Sequence, residues 1–135
     1  MTERNPVDGR NLTGVWHGLY TYPDGISVSF VATLIEAGRS VTGSVHEPCT
    51  VGGSPNETIS ATLSGSRSDS AVRFLKTYEG TNPHYGSVHY EGTLNHDGTE
   101  VEGRWTVPRN WSGKFLMIRS GGAAETVARK SAVRA

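Results

Sequence analysis

A chain of 135 residues has room for one continuous hydrophobic core, which excludes a two-domain organisation. Its 13 Lys and Arg balance 13 Asp and Glu, so the cationic excess that nucleic acids and anionic membranes select is missing, and neither is expected as a partner. The single cysteine, Cys49, cannot form an internal disulfide, and Met1 to Arg10 hold no apolar run of the kind that directs secretion, so the chain reads as cytoplasmic.

From Leu12 to Arg119 the chain falls into runs of seven to eleven residues that alternate large apolar and polar side chains, the pattern of strands rather than helices. The first run, Leu12 to Tyr22, ends at the turn Pro23-Asp24-Gly25. The second, Ile26 to Ala37, ends at Gly38-Arg39-Ser40, and the third spans Val41 to Glu47. After a longer stretch from Pro48 to Asn56 come Glu57 to Gly65, Ser70 to Tyr78, Gly86 to Leu94, Thr99 to Val107 and Ser112 to Arg119. Asn95-His96-Asp97-Gly98 is the clearest hairpin turn among the connections.

A step of one residue moves a side chain across a sheet, so parity sorts each run into two faces. One face collects Trp16, Tyr20, Tyr22, Val28, Phe30, Leu34, Val41, Val45, Ile59, Leu63, Val72, Phe74, Tyr78, Val88, Tyr90, Leu94, Val101, Trp105, Phe115 and Met117. The other is mostly Thr, Ser, His, Arg and Glu. Eight short-linked strands can form a sandwich or a closed sheet, and closure is preferred because it leaves no exposed strand edge. Glycines inside the runs, including Gly18 and Gly103, fit the bending and close backbone approach of coiled barrel strands. The expected fold is therefore all-β: one up-and-down antiparallel β-barrel of about eight strands over residues 12–119, preceded by an extension, 1–11, and followed by a tail, 120–135. Ala124, Val127, Ala128 and Ala132 in that tail fall at helical spacing, and a short helix and disorder are both open there.

The sequence Gly14-Val15-Trp16 in the first run, Arg119 at the end of the last, and the meander between them resemble the calycin superfamily of lipocalins, fatty-acid-binding proteins and avidins. The resemblance implies that Trp16 and Arg119 stack indole on guanidinium and close one end of the barrel, a structural role. The first three runs are similar in rhythm to those of avidin-like proteins. Gly18 follows Trp16-His17 where those proteins hold the polar groups that bind biotin, so biotin binding does not carry over.

Polar residues on the inner face are the most informative, because an enclosed interior tolerates charge only when it is paired or wetted. Lys76 shares parity with Val72, Phe74 and Tyr78, and Glu47 closes the third run with inward parity. The candidate ligand-binding set is Tyr20, Phe30, Glu47, Lys76, Tyr78, Tyr90, Trp105, Phe115 and Met117. Against it stands a structural reading, in which Lys76 and Tyr78 lie at a wet strand end, Glu47 simply pairs with the ammonium, and the aromatics are a packed core. A desolvated Lys76 would have a depressed pKa suited to amine chemistry.

His17, His46 and His89 have outward parity and sit on strands that do not adjoin, so no metal site and no cofactor is expected. Cys49 near His46 reads as an ordinary thiol, and no catalytic residue is assigned. The loop with Asn82-Pro83-His84-Tyr85 and the one from Pro108 to Trp111 are candidate rims of a pocket. Outward Val15, Leu19, Val31, Ile35, Leu116 and Ile118 form an apolar patch on the first, second and last strands, which another subunit or the segment around Val127 should cover. Three uses follow: a barrel holding a modest, partly apolar small molecule, a filled barrel acting as a structural or interaction module, and an isomerase or cyclase working in the interior. The first leads, and an enzymatic role is the less favoured.

Overall fold

A computed structural model of the protein describes residues 10–48, 58–79 and 87–119. The strands are β1 (Gly14–Thr21), β2 (Ser27–Ala37), β3 (Ser40–Pro48), β4 (Thr58–Ser68), β5 (Ala71–Tyr78), β6 (Ser87–Leu94), β7 (Glu100–Val107) and β8 (Trp111–Arg119). Each pairs antiparallel with the next, and β8 returns to β1 with Trp16 opposite Arg119 and Tyr20 opposite Phe115, which closes the barrel. The tail 120–135, the first nine residues, the Cys49 loop and the loop with Asn82-Pro83-His84-Tyr85 lie outside the described residues.

The turns follow local chemistry. Gly25, at φ 94°, closes the first hairpin while the Asp24 carboxylate accepts from the Ile26 amide at 2.9 Å. Asn95 accepts from the amides of Thr99 and Glu100, and Gly98 takes φ 74°. One expectation fails here: β4 does not end at Gly65 but runs on to Ser68. Asp69, at φ 55°, takes the left-handed corner of the turn, a conformation aspartate tolerates. Gly65 instead serves close approach, because a Cβ there would lie 1.8 Å from the Arg73 carbonyl oxygen.

The inner face is the expected one, with Trp16, Leu34, Val41, Val72 and Val101 almost wholly buried. Ile59 at the start of β4 is only half-buried, as are Tyr22 and Tyr78 at the opposite end from Trp16. Leu12, Ala32 and Ala61 join the core although the sequence reading passes over them. On the outer face Val15, Val31 and Ile35 are exposed, whereas Leu116 and Ile118 are buried and pack with Leu19.

The two ends of the barrel differ. At the end where β1 begins and β8 finishes, here the floor, Trp16 Nε1 donates to the Leu12 carbonyl at 2.9 Å and the Arg119 guanidinium stacks 4.6 Å from the Trp16 ring. Arg119 also donates to the carbonyls of Gly98, Thr13 and Asn11, and burial lowers its pKa, with Glu36 opposing. Arg67 grips Glu36 at 2.8 and 2.9 Å, Glu36 accepts from the Leu12 amide, and Arg10 bonds Asp69 and Ser70. Such a lattice of charged and main-chain bonds seals that end.

Candidate functional site

The opposite end gathers the chemistry. Tyr20 comes from the last turn of alternation in β1, Glu47 from the end of β3, Lys76 and Tyr78 from the end of β5, and Tyr90 from β6, so inward parity on four strands aims them at one centre. The Glu47 carboxylate is the hub. Its Oε1 accepts from the Tyr20 hydroxyl at 2.7 Å and from the Tyr78 hydroxyl at 2.8 Å, while Oε2 accepts from Lys76 Nζ at 3.0 Å. Lys76 and Glu47 are each only 2% exposed, so Lys76 does not sit at a wet strand end.

The ammonium is also enclosed by ring faces, with Nζ 4.6 Å from the Tyr20 centroid, 4.7 Å from Tyr78 and 5.2 Å from Tyr90. The negative faces of the rings partly replace its hydration. Burial lowers the Lys76 pKa and the neighbouring Glu47 carboxylate works against that shift. Burial, reinforced by the charge on Glu47, raises the pKa of Tyr20, Tyr78 and Tyr90, so all three remain phenols that can donate. Only one of the three protons on Nζ has a hydrogen-bond acceptor among the described residues.

The remaining candidates separate into two layers. Trp105 belongs with the rim: its Nε1 donates to the Thr21 carbonyl at 3.0 Å, and its ring meets Tyr20 at 6.0 Å and Tyr22 at 5.3 Å, edge to face. Tyr22 in turn meets Trp111, which is 54% exposed. Phe30, Phe115 and Met117 lie deeper and, with Val45, Leu63, Phe74, Tyr90 and Lys76, enclose a cavity of about 10 Å³. That is roughly the room of one water molecule. The deep aromatics are thus packed against each other, and any larger guest has to stand above Lys76.

Glu36 and Arg67 were not singled out from the sequence, although both carry inward parity. The signal for Arg67 was hidden because the fourth run appeared to stop at Gly65. They hold the floor and not the polar cluster. His17, His46 and His89 stay on the outside, His46 bonded to Ser60 at 3.1 Å.

No family model matches the chain, and no curated protein matches it. The fold is shared with solved designed barrels. A redesigned β-barrel superposes with a TM-score of 0.64 at 16% identity, covering 80% of this chain and 90% of its own. A de novo fluorescence-activating β-barrel gives 0.60 at 17% identity, over 85% of this chain and 100% of its own. A further redesigned barrel, mFAP0, described bound to DFHBI, gives 0.57 at 15% identity over 80% and 97%. At such identities the likeness establishes an eight-stranded antiparallel barrel and nothing finer.

Proposed function

We propose that this protein binds a small, partly apolar molecule at the upper end of the barrel, on the platform formed by Glu47, Lys76, Tyr20 and Tyr78. The observation that carries the reading is the Glu47 carboxylate accepting from three side chains of two other strands in a fully buried position. A buried ion pair is poor value as a stabiliser, since apolar residues of equal volume commonly serve as well or better. Its place beneath a rim of Tyr22, Trp105 and Trp111, with the other end sealed, supports a binding role. The ligand carries a hydrogen-bond acceptor for Lys76 and a flat apolar part for the aromatic rim. Lys76 acts as an anchor in this reading, held as an ammonium by Glu47, and not as a nucleophile.

We further read the barrel as calycin-like, on the Gly14-x-Trp16 segment and the stacking of Arg119 on Trp16. A designed barrel of the same fold that is described bound to DFHBI is in keeping with a guest in such a barrel. The rival reading, a filled structural module, is favoured by the cavity of only about 10 Å³ among the deep aromatics.

Native mass spectrometry of protein taken directly from its source separates the two. Binding predicts an adduct that is absent from the Glu47→Gln/Lys76→Met double variant, and DFHBI or another small aromatic probe should quench Trp105 and Trp111 in the parent chain only. A bare polypeptide mass, with unquenched fluorescence across a panel of such probes, would leave the filled module standing.

A further inference from the structure

Lys76 and Glu47 are the buried charged residues among those described, and their charges cancel inside the barrel. The other inward ion pair, Arg67 with Glu36, lies at the floor. Of the three phenols around Lys76, Tyr20 and Tyr78 direct their protons to Glu47. Tyr90 does not: its hydroxyl has no hydrogen-bond partner among the described residues, although Tyr90 is only 5% exposed and lines the same small cavity as Lys76. We propose that Glu47 determines which guests the upper end accepts. By neutralising Lys76 from within the barrel, it selects an uncharged acceptor, a carbonyl group on a flat apolar body, and turns away a carboxylate of the same shape. This assignment rests on the binding reading given above.

Geometry sets the selectivity. Glu47 Oε2 already stands 3.0 Å from Lys76 Nζ. A guest oxygen bonded to the same nitrogen would be about 3 Å from it, and so within roughly 6 Å of the Glu47 carboxylate. At that separation, in a site shielded from water, two negative charges oppose each other strongly. A guest carboxylate would be the second anion on one cation. An uncharged carbonyl oxygen meets no such opposition, and its two lone pairs suit one proton from Lys76 and one from Tyr90.

A guest ammonium fares no better than a carboxylate. The place for a cation, against the carboxylate and the ring faces of Tyr20, Tyr78 and Tyr90, is taken by Lys76 itself. What is left for a guest is the aromatic rim of Tyr22, Trp105 and Trp111, which favours a flat apolar body. Charge of either sign is thus excluded by groups the chain supplies.

Two probes of one shape test this, 2-acetylnaphthalene and 2-naphthoate, each followed by equilibrium dialysis at neutral pH. The parent chain should bind the carboxylate at least about tenfold more weakly than the ketone, because juxtaposed like charges cost more than a factor of ten in affinity. Glu47→Gln keeps the side-chain volume and leaves Lys76 uncompensated, so the order should reverse. If that variant does not fold alone, 2-naphthoate should restore its near-ultraviolet circular dichroism and 2-acetylnaphthalene should not, since a ligand bound only by the folded state stabilises it. A parent chain that prefers the carboxylate, or a Glu47→Gln chain that keeps the parental order or is rescued by neither probe, would overturn the assignment while leaving the binding reading in place. Failure of the parent to bind either probe overturns it too, and the binding reading falls with it only if the native mass spectrum also shows a bare polypeptide.

Discussion

Lys76 and Glu47 meet at 3.0 Å with both side chains withdrawn from water, and each is the other's only opposite charge within ion-pair distance among the described residues. Removing one member strands the other's charge, whereas replacing both by neutral groups leaves no buried charge. Lys76→Met alone is therefore expected to destabilise the barrel by about 3–5 kcal/mol, the usual penalty for breaking a buried pair, and Glu47→Gln added to it should recover most of the loss. Urea denaturation midpoints of the single and double variants measure this, and a double variant as weak as Lys76→Met would contradict it.

Alkaline pH addresses the same cluster through its tyrosines. In the unfolded chain a tyrosine ionises near pH 10, but in the barrel Tyr20, Tyr78 and Tyr90 hold their protons to higher pH. The folded state then binds more protons than the unfolded one, so stability present below about pH 10 is lost as the pH rises above it. Lys76 has the opposite sign: its lowered pKa makes stability increase with pH up to the unfolded lysine value of about 10.4. Tyrosinate absorbance should show these three phenols ionising only together with global unfolding. Early, independent titration of all tyrosines would show the cluster to be wet.

Close approach makes two glycines intolerant of a methyl group, one against backbone and one against a ring. A Cβ on Gly103 would lie 1.9 Å from the Glu91 carbonyl oxygen, and one on Gly18 would lie 2.1 Å from the Phe30 ring. Overpacking of a filled core generally costs about 1–3 kcal/mol, and a clash with main chain cannot be relieved by a rotamer change. Gly103→Ala should accordingly lower the thermal midpoint more than Gly18→Ala, where the Phe30 ring can shift. Equal midpoints for the two variants would refute the assignment of backbone contact.

At the floor, Arg119→Lys keeps the charge but cannot reproduce the planar stack on Trp16 or the fork to the carbonyls of Gly98, Thr13 and Asn11. A loss of about 2 kcal/mol is expected from the missing charge-assisted bonds. Differential scanning calorimetry measures it, with DFHBI quenching of Trp105 and Trp111 run in parallel. A floor residue should change stability and leave the upper end unaltered.

Parity alone carries the strand count, the inner face from Trp16 to Met117, and the inward aim of Lys76 and Glu47, because the pleat of a strand fixes which residues share a side. The end of β4 is not legible in the same way: Asp69 adopts a left-handed corner that its residue type permits without announcing, which hides the pairing of Arg67 with Glu36. Tertiary structure decides what periodicity leaves open. Distances between strands remote in sequence join Tyr20, Glu47 and Tyr78 into one hydrogen-bonded cluster, and the packing of Phe30, Phe74, Phe115 and Met117 leaves a cavity of only about 10 Å³ between them. A pattern of alternation specifies direction, while the filling of space depends on barrel radius and rotamers that exist only once the sheet has closed.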